Sequence, residues 1–369
     1  MKVLVAGGGT AGHINPGIAI AKYIKQKQPD AEVVFVGTRK GLETKLVPRE
    51  GFQLKLIRVR GFRRKLSLDT LKAVKELFSG TFEARKLIND YKPDIVIGTG
   101  GYVCGPVLFM AARKKIPTLI HEQNAFPGIT NRILSRFVNV VAISFKESET
   151  YFKTAKKLLL TGNPIRNEML EADRGKARIK LFIDGHMPLV VIFGGSRGAE
   201  KINLAVTEMI RDHLNEVDCK IIFATGDQQY ERIIGELKGT GNKSVEIVPY
   251  IYDMANIMAA ADLVICRAGA ITISELTALG VPSLMIPSPY VTANHQEHNA
   301  RALEKQGAAE IILEKDLSGK VIYQKMTELI KDERKLKDMA QNAGRVGVRD
   351  AAENIYNTVI GLMDSKIKG

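Results

Sequence analysis

The chain has 369 residues, 45% of them hydrophobic and 25% charged, which are the proportions of a globular protein long enough for two domains that each bury a core. Its formal net charge of +14 asks for an anionic partner, whether nucleic acid, an acidic membrane surface or a phosphorylated substrate. The longest apolar runs, such as Leu189 to Phe193, fall far short of the roughly 20 residues of a membrane span, and no zinc finger, RNP aromatic motif or basic heptad helix argues for nucleic acid.

Met1-Lys2 leads straight into a strand rather than a signal peptide, so a cytosolic location is expected. Cys104, Cys219 and Cys266 share no metal-ligand or redox spacing and read as reduced, buried thiols. Lys2 to Ala6 is an apolar first strand, turned by Gly7 to Gly12 (GGGTAG) into a helix expected from about Pro16 to Lys25, with Pro16 in the first turn. Taken literally the glycines are GxGxxG, but the second strand, Glu32 to Val36, ends in Gly37-Thr38-Arg39 without the acid that a nicotinamide ribose requires. The glycines then serve another phosphate or sugar group. His13 follows them at the carboxyl end of a parallel strand, either as a neutral base or as a structural residue of the loop-to-helix junction.

Between Leu54 and Lys75 the chain carries Lys55, Arg58, Arg60, Arg63, Arg64, Lys65, Lys72 and Lys75 against a single acid, Asp69. Apolar Phe62, Leu66, Leu68, Leu71, Val74, Leu77 and Phe78 interleave with them. The stretch suits an anionic membrane surface; equally, the stripe can face the core with its charges solvated. Ile95 to Gly98 is the next strand, followed by the tight loop Thr99 to Pro106 (TGGYVCGP). Thr118 to Ile120 leads into His121-Glu122-Gln123-Asn124, a polar cluster at a strand end and therefore a binding candidate. After Val140 to Ser144, the turn at Gly162-Asn163-Pro164 marks the domain boundary.

The second half repeats the plan: strand Leu189 to Phe193, Gly-rich turn GGSRGA at 194–199, then a helix, so both halves read as doubly wound α/β sheets. Ser196 and the amides around it form one anion seat. A second lies at Ala268-Gly269-Ala270, between the strand Leu263 to Cys266 and a helix expected near Thr272, where small residues let amides approach a diphosphate. One turn on, Glu275 either accepts bonds from a ribose diol or complements the helix N-terminus. Pro249-Tyr250-Ile251 is suited to pack beside a base. Thr292 to Ala300 gathers Asn294, His295, Gln296, His298 and Asn299; no carboxylate or cysteine cluster completes a metal site there. Ala351 to Met363 reads as one helix face that packs back on the first domain.

GGGTAGH at 7–13, GTGGYVCGP at 98–106, HEQN at 121–124, TGNPIR at 161–166, GGSRGA at 194–199, RAGAITISE at 267–275 and NHQEHNA at 294–300 occur in order. In these motifs nearly the whole chain resembles the MurG family of peptidoglycan N-acetylglucosaminyltransferases, of family 28 type. The resemblance implies a GT-B fold, two Rossmann-like domains and a cleft, with an acceptor and membrane domain at 1–163, a donor domain at 164–345, and a helix at about 346–369 packing back. It further implies inverting transfer from UDP-N-acetylglucosamine to the C4 hydroxyl of the muramoyl sugar of lipid I, with no cofactor or metal, at the cytoplasmic face of the membrane. On that mapping Thr10, Ala11, Gly12, Asn124, Arg166, Ser196, Ile251, Ala270, Ile271, Thr272, Ile273, Ser274, Glu275 and Gln296 contact the donor. Glu275 takes the ribose, Ile251 the uracil, Ser196 and the amide of Ile271 or Thr272 the diphosphate, and Asn124 and Gln296 the sugar. His13 is the candidate base, with Glu122 its rival; Arg63, Arg64, Lys65, Leu71 and Phe78 meet an anionic membrane. The first loop departs from the family's GGTGGH at Ala11, whose methyl narrows the approach there. The competing readings are a UDP-N-acetylglucosamine 2-epimerase, a nicotinamide oxidoreductase and a nucleic-acid module.

Overall fold

The computed structural model describes residues 1–59, 68–183, 185–195, 197–213, 219–238 and 244–367, side chains excepted at 68–77 and 366–367. The chain divides into two compact units, Met1–Ile165 with Asp350–Gly369, and Arg166–Arg349. The division falls just beyond the turn at Gly162-Asn163-Pro164.

In the first unit β1 (Lys2–Gly7), β2 (Glu32–Gly37), β3 (Gln53–Leu56), β4 (Ile95–Gly100), β5 (Thr118–Glu122), β6 (Val140–Ile143) and β7 (Leu158–Leu160) form one sheet. Its order is β3-β2-β1-β4-β5-β6-β7, with every pairing parallel. Apolar residues run without a break through β1 because both of its faces are covered. Val3 and Val5 join a cluster with Ile14, Ile18 and Ile20 of the helix Ala11–Lys27, while Leu4 and Ala6 join another with Val107 and Leu108 of the helix Cys104–Arg113. The terminal helix Ala351–Ile367 belongs to this unit: Ile355 and Val359 are buried in the first of those clusters, and Tyr356 meets Tyr23 edge-on at 5.8 Å.

The second unit holds β8 (Leu189–Phe193), β9 (Lys220–Ala224), β10 (Val245–Val248), β11 (Leu263–Cys266), β12 (Ser283–Met285) and β13 (Ala309–Ile311). They are ordered β10-β9-β8-β11-β12-β13, again all parallel. In each sheet the strand order reverses once, between β1 and β4 and between β8 and β11. Open α/β sheets bind ligands outside such a reversal, at the carboxyl ends of the strands. The glycine-rich segments after β1, β4, β8 and β11 therefore fall where the two topologies make room for ligand.

Several local boundaries differ from those expected. The first helix begins at Ala11, so Pro16 lies inside it rather than in the first turn. β5 extends through His121 and Glu122, which become buried strand residues instead of a loop. The helix after β11 begins at Ala270, earlier than Thr272. β3 and β7 are short edge strands whose surroundings gave no clear period. Arg63, Arg64 and Lys65 lie outside the described residues, as does the side chain of Leu71; Phe78 is exposed on the helix Leu68–Tyr91.

Candidate functional site

Thr10 precedes the first helix in extended backbone (φ −127°, ψ 154°), and its carbonyl accepts from the amides of His13 at 3.1 Å and Ile14 at 3.2 Å. Ala11, Gly12 and His13 thus form the first helical turn; the His13 amide is taken by Thr10, so the amides of Ala11 and Gly12 are the ones placed to face an anion. The ring of His13 lies against bare backbone. Gly100 has φ +114°, and a Cβ built there would fall on His13 Nδ1; Gly101, at φ +83°, would drive one into the carbonyl of Gly8. Thr99 Oγ1 donates to the His13 carbonyl at 2.7 Å and completes the seat.

His121 to Asn124 brings a second group of side chains to the same place. Glu122 is 1% exposed. Its Oε1 accepts from the amide and side chain of Asn124 at 3.0 and 3.3 Å, and its Oε2 from Gly128 N at 3.1 Å and Asn131 Nδ2 at 2.8 Å. The carboxylate is therefore the peg around which residues 123–131 turn. His121 is fully buried, with Nε2 2.9 Å from the Gly162 carbonyl, and burial pulls its pKa down to about 4 against the opposing pull of that bond. Gln123 links the two histidines, its Nε2 3.0 Å from His121 Nδ1 and its Oε1 3.1 Å from His13 Nδ1.

Glu43 was not foreseen. It is 0% exposed on the helix Glu43–Arg49, and accepts from Gly9 N at 2.9 Å, Thr38 N at 2.8 Å and Thr38 Oγ1 at 2.9 Å. The chain beyond β2 does supply an acid, but one spent on the glycine loop itself. The available signal was the pair Gly37 and Gly41, where any Cβ would strike the Glu43 side chain.

In the second unit Gly269 (φ −68°, ψ 136°) caps the helix Ala270–Leu279, whose first turn is Ala270 to Ile273. Ile273 is 2% exposed and its amide donates to the Gly269 carbonyl at 2.9 Å, so the amides before it are what that turn offers, while Ser274 Oγ donates back to the Ala270 carbonyl at 3.0 Å. Glu275 is 7% exposed, and Arg166 Nε and Nη2 both donate to its Oε1 at 3.1 Å. Burial raises the Glu275 pKa and Arg166 opposes the rise. Gln296 Oε1 accepts from Ser288 N at 2.9 Å, and Asn299 Nδ2 donates to the Ala268 carbonyl at 3.3 Å, tying the helix His295–Lys305 to the loop after β11. Ile251 is 4% exposed, whereas its chain neighbours Tyr250 and Tyr252 are exposed and meet edge-on with ring centroids 5.1 Å apart. Arg267 turns from the loop to the Ile286 carbonyl at 3.1 Å and pairs with Glu314. Ser196 lies outside the described residues, and among those described no group of three or more His, Cys, Asp or Glu is placed to hold a metal ion.

Comparison with known proteins identifies the family. The N-terminal domain of glycosyltransferase family 28 matches residues 3–143, and the family 28 C-terminal domain matches residues 189–355. The chain is 64% identical over 369 residues, all of both chains, to the UDP-N-acetylglucosamine–N-acetylmuramyl-(pentapeptide) pyrophosphoryl-undecaprenol N-acetylglucosamine transferase of Acetivibrio thermocellus. Among solved structures, MurG of Acinetobacter baumannii is similar at a TM-score of 0.82 and 31% identity, over 98% of this chain and 99% of that one. A UDP-GlcNAc 2-epimerase from Neisseria meningitidis, bound to UDP-GlcNAc, shares the fold at a TM-score of 0.65 and 15% identity, over 98% and 100% of the two chains.

Proposed function

The chain belongs to glycosyltransferase family 28, and on that premise we propose that it moves N-acetylglucosamine from UDP-N-acetylglucosamine to the muramyl sugar of an undecaprenyl-pyrophosphoryl N-acetylmuramyl-pentapeptide, lipid I, forming lipid II. The acceptor atom is the C4 hydroxyl and the anomeric centre inverts. The epimerase reading has only a shared fold behind it.

The observation that best supports the donor half is the buried carboxylate of Glu275, held by Arg166 beside a helix N-terminus. A ribose diol donates to such a carboxylate, and the amide of Ile271 or Thr272 meets a diphosphate whose negative charge grows as UDP departs. Ser196, Ile251 and Gln296 complete the donor contacts within the second unit. No metal or cofactor is required on this reading, since amides and Arg166 carry the charge stabilisation. His13 removes the acceptor proton. Glu122 is the weaker candidate, because its two oxygens already accept from four donors.

The acceptor's lipid tail places the enzyme at the cytoplasmic face of the membrane as a peripheral protein. Among the described residues no helix is long and apolar enough to cross a membrane. Phe78 and Phe82 stand 73% and 70% exposed one turn apart on the helix Leu68–Tyr91, and the sequence that precedes this helix carries the basic residues Arg63, Arg64 and Lys65. Such a face favours an anionic surface.

The deciding experiment is transfer of radiolabelled N-acetylglucosamine from its UDP donor to a lipid I analogue, with EDTA present and an acceptor-free control. Acceptor-dependent product is expected. Epimer or free UDP formed equally without acceptor would move the function to the epimerase reading, and loss of product in EDTA would refute metal independence.

A further inference from the structure

Hydrogen-bond complementarity around His121 leaves one consistent arrangement of protons. His121 Nε2 lies 2.9 Å from the Gly162 carbonyl and 3.2 Å from Ser144 Oγ, and the Ser144 hydroxyl donates to the Glu122 carbonyl at 2.9 Å. A carbonyl offers only lone pairs, and the Ser144 hydrogen is committed elsewhere, so Nε2 of His121 carries the hydrogen. Burial keeps that ring neutral, which leaves Nδ1 as an acceptor. One end of the Gln123 amide is 3.0 Å from this Nδ1 and 2.9 Å from the His121 carbonyl. Both are acceptors, so that end is the NH2 group, and the amide oxygen is the end that faces His13 Nδ1 at 3.1 Å. An oxygen there requires a hydrogen on His13 Nδ1.

We propose that His121 and Gln123 are positioning residues that lock His13 in its Nδ1–H tautomer, presenting Nε2 as the lone-pair nitrogen that accepts the acceptor's proton. The proposal rests on the reading of His13 as base. A neutral histidine side chain in water favours the Nε2–H tautomer, so the network inverts an intrinsic preference. In the reaction the hydroxyl O–H bond breaks and its hydrogen bonds to Nε2. The oxygen attaches to the anomeric carbon, and UDP leaves with the electron pair of the old bond. His13 becomes an imidazolium whose Nδ1–H still donates to Gln123 Oε1, so the charge forms without loss of that hydrogen bond. A reversed amide would instead set an NH2 group against Nδ1–H.

The test is two-bond proton–nitrogen correlation NMR on the full chain labelled with 15N-histidine, at a pH where His13 is neutral, with assignment from His13→Ala and His121→Gln. The wild-type spectrum is expected to show His13 protonated at Nδ1 and His121 at Nε2. In Gln123→Leu, His13 reverts to the Nε2–H pattern, and kcat falls about 10-fold or more while the donor KM stays within about 2-fold. Wild-type His13 carrying its hydrogen on Nε2 overturns the proposal, and needs no variant to fold; so does an unchanged His13 pattern in Gln123→Leu. The base reading fails separately: His13→Ala with full kcat removes the catalytic half even if the tautomers are as expected.

Discussion

Arg166 directs Nε and Nη2 to one oxygen of Glu275, each at 3.1 Å, and the second oxygen takes no part in the pair. Arg166 is half exposed and Glu275 is buried, so the arginine is the solvated partner that keeps an otherwise costly carboxylate in place. One end of the pair can face a diol and the other a diphosphate.

Glu275→Gln tests what that arrangement costs. Because burial raises its pKa, native Glu275 holds a proton more tightly than the unfolded chain does, and stability falls as pH rises from the ordinary carboxylate value through the raised one. Thermal denaturation at neutral pH should show the variant at least as stable as wild type. Calorimetric titration with UDP should show affinity about 10- to 100-fold weaker, the loss expected for hydrogen bonds to a charged group.

His121 gives the opposite slope. Its native pKa of about 4 lies below the ordinary 6.5, so the unfolded chain binds the proton first as pH falls. The contribution to stability is complete above pH ~6.5 and is lost as pH falls to ~4, amounting to roughly 3 kcal/mol in all. Denaturant melts across that range should show a shallower decline in His121→Gln than in wild type.

Glu122→Gln and His13→Ala separate the two base candidates. Glu122→Gln puts an NH2 group where donors converge and should lower stability by about 2–3 kcal/mol. His13→Ala should leave the unfolding midpoint nearly unchanged and lower kcat by about 10²- to 10⁴-fold at saturating acceptor. A destabilised His13→Ala with normal kcat would reverse the assignment.

Gly100→Ala places a methyl on His13 Nδ1 and forces a side chain into φ +114°. The strain is about 1–3 kcal/mol, and since the ring must move, kcat should drop by about 10-fold or more. UDP affinity, measured in parallel, should be unchanged.

Phe78→Ser with Phe82→Ser should reduce flotation with anionic liposomes while sparing transfer to a water-soluble acceptor. Undiminished flotation would remove these rings from the membrane-binding face.

Strand runs such as Leu4 to Ala6 and Leu189 to Phe193 were legible in the sequence because a parallel strand covered on both faces must be apolar throughout. The glycine loops were legible because close backbone approach excludes side chains, and the order of motifs carried the family. The start of the first helix was not, since Pro16 suggested a beginning that Thr10 and Ala11 already supply.

Nor could the sequence say what Glu43, Glu122 and Gln123 do. A carboxylate or amide written in one dimension has no partners. Only the fold brings Gly9 and Thr38 to Glu43, the 124–131 loop to Glu122, and both histidines to Gln123. Local chemistry determined where ligands can approach; the path of the loops after β2 and β5, and two long-range hydrogen bonds that depend on strand order, Gly9 to Glu43 and His13 to Gln123, decided which polar side chains hold the site.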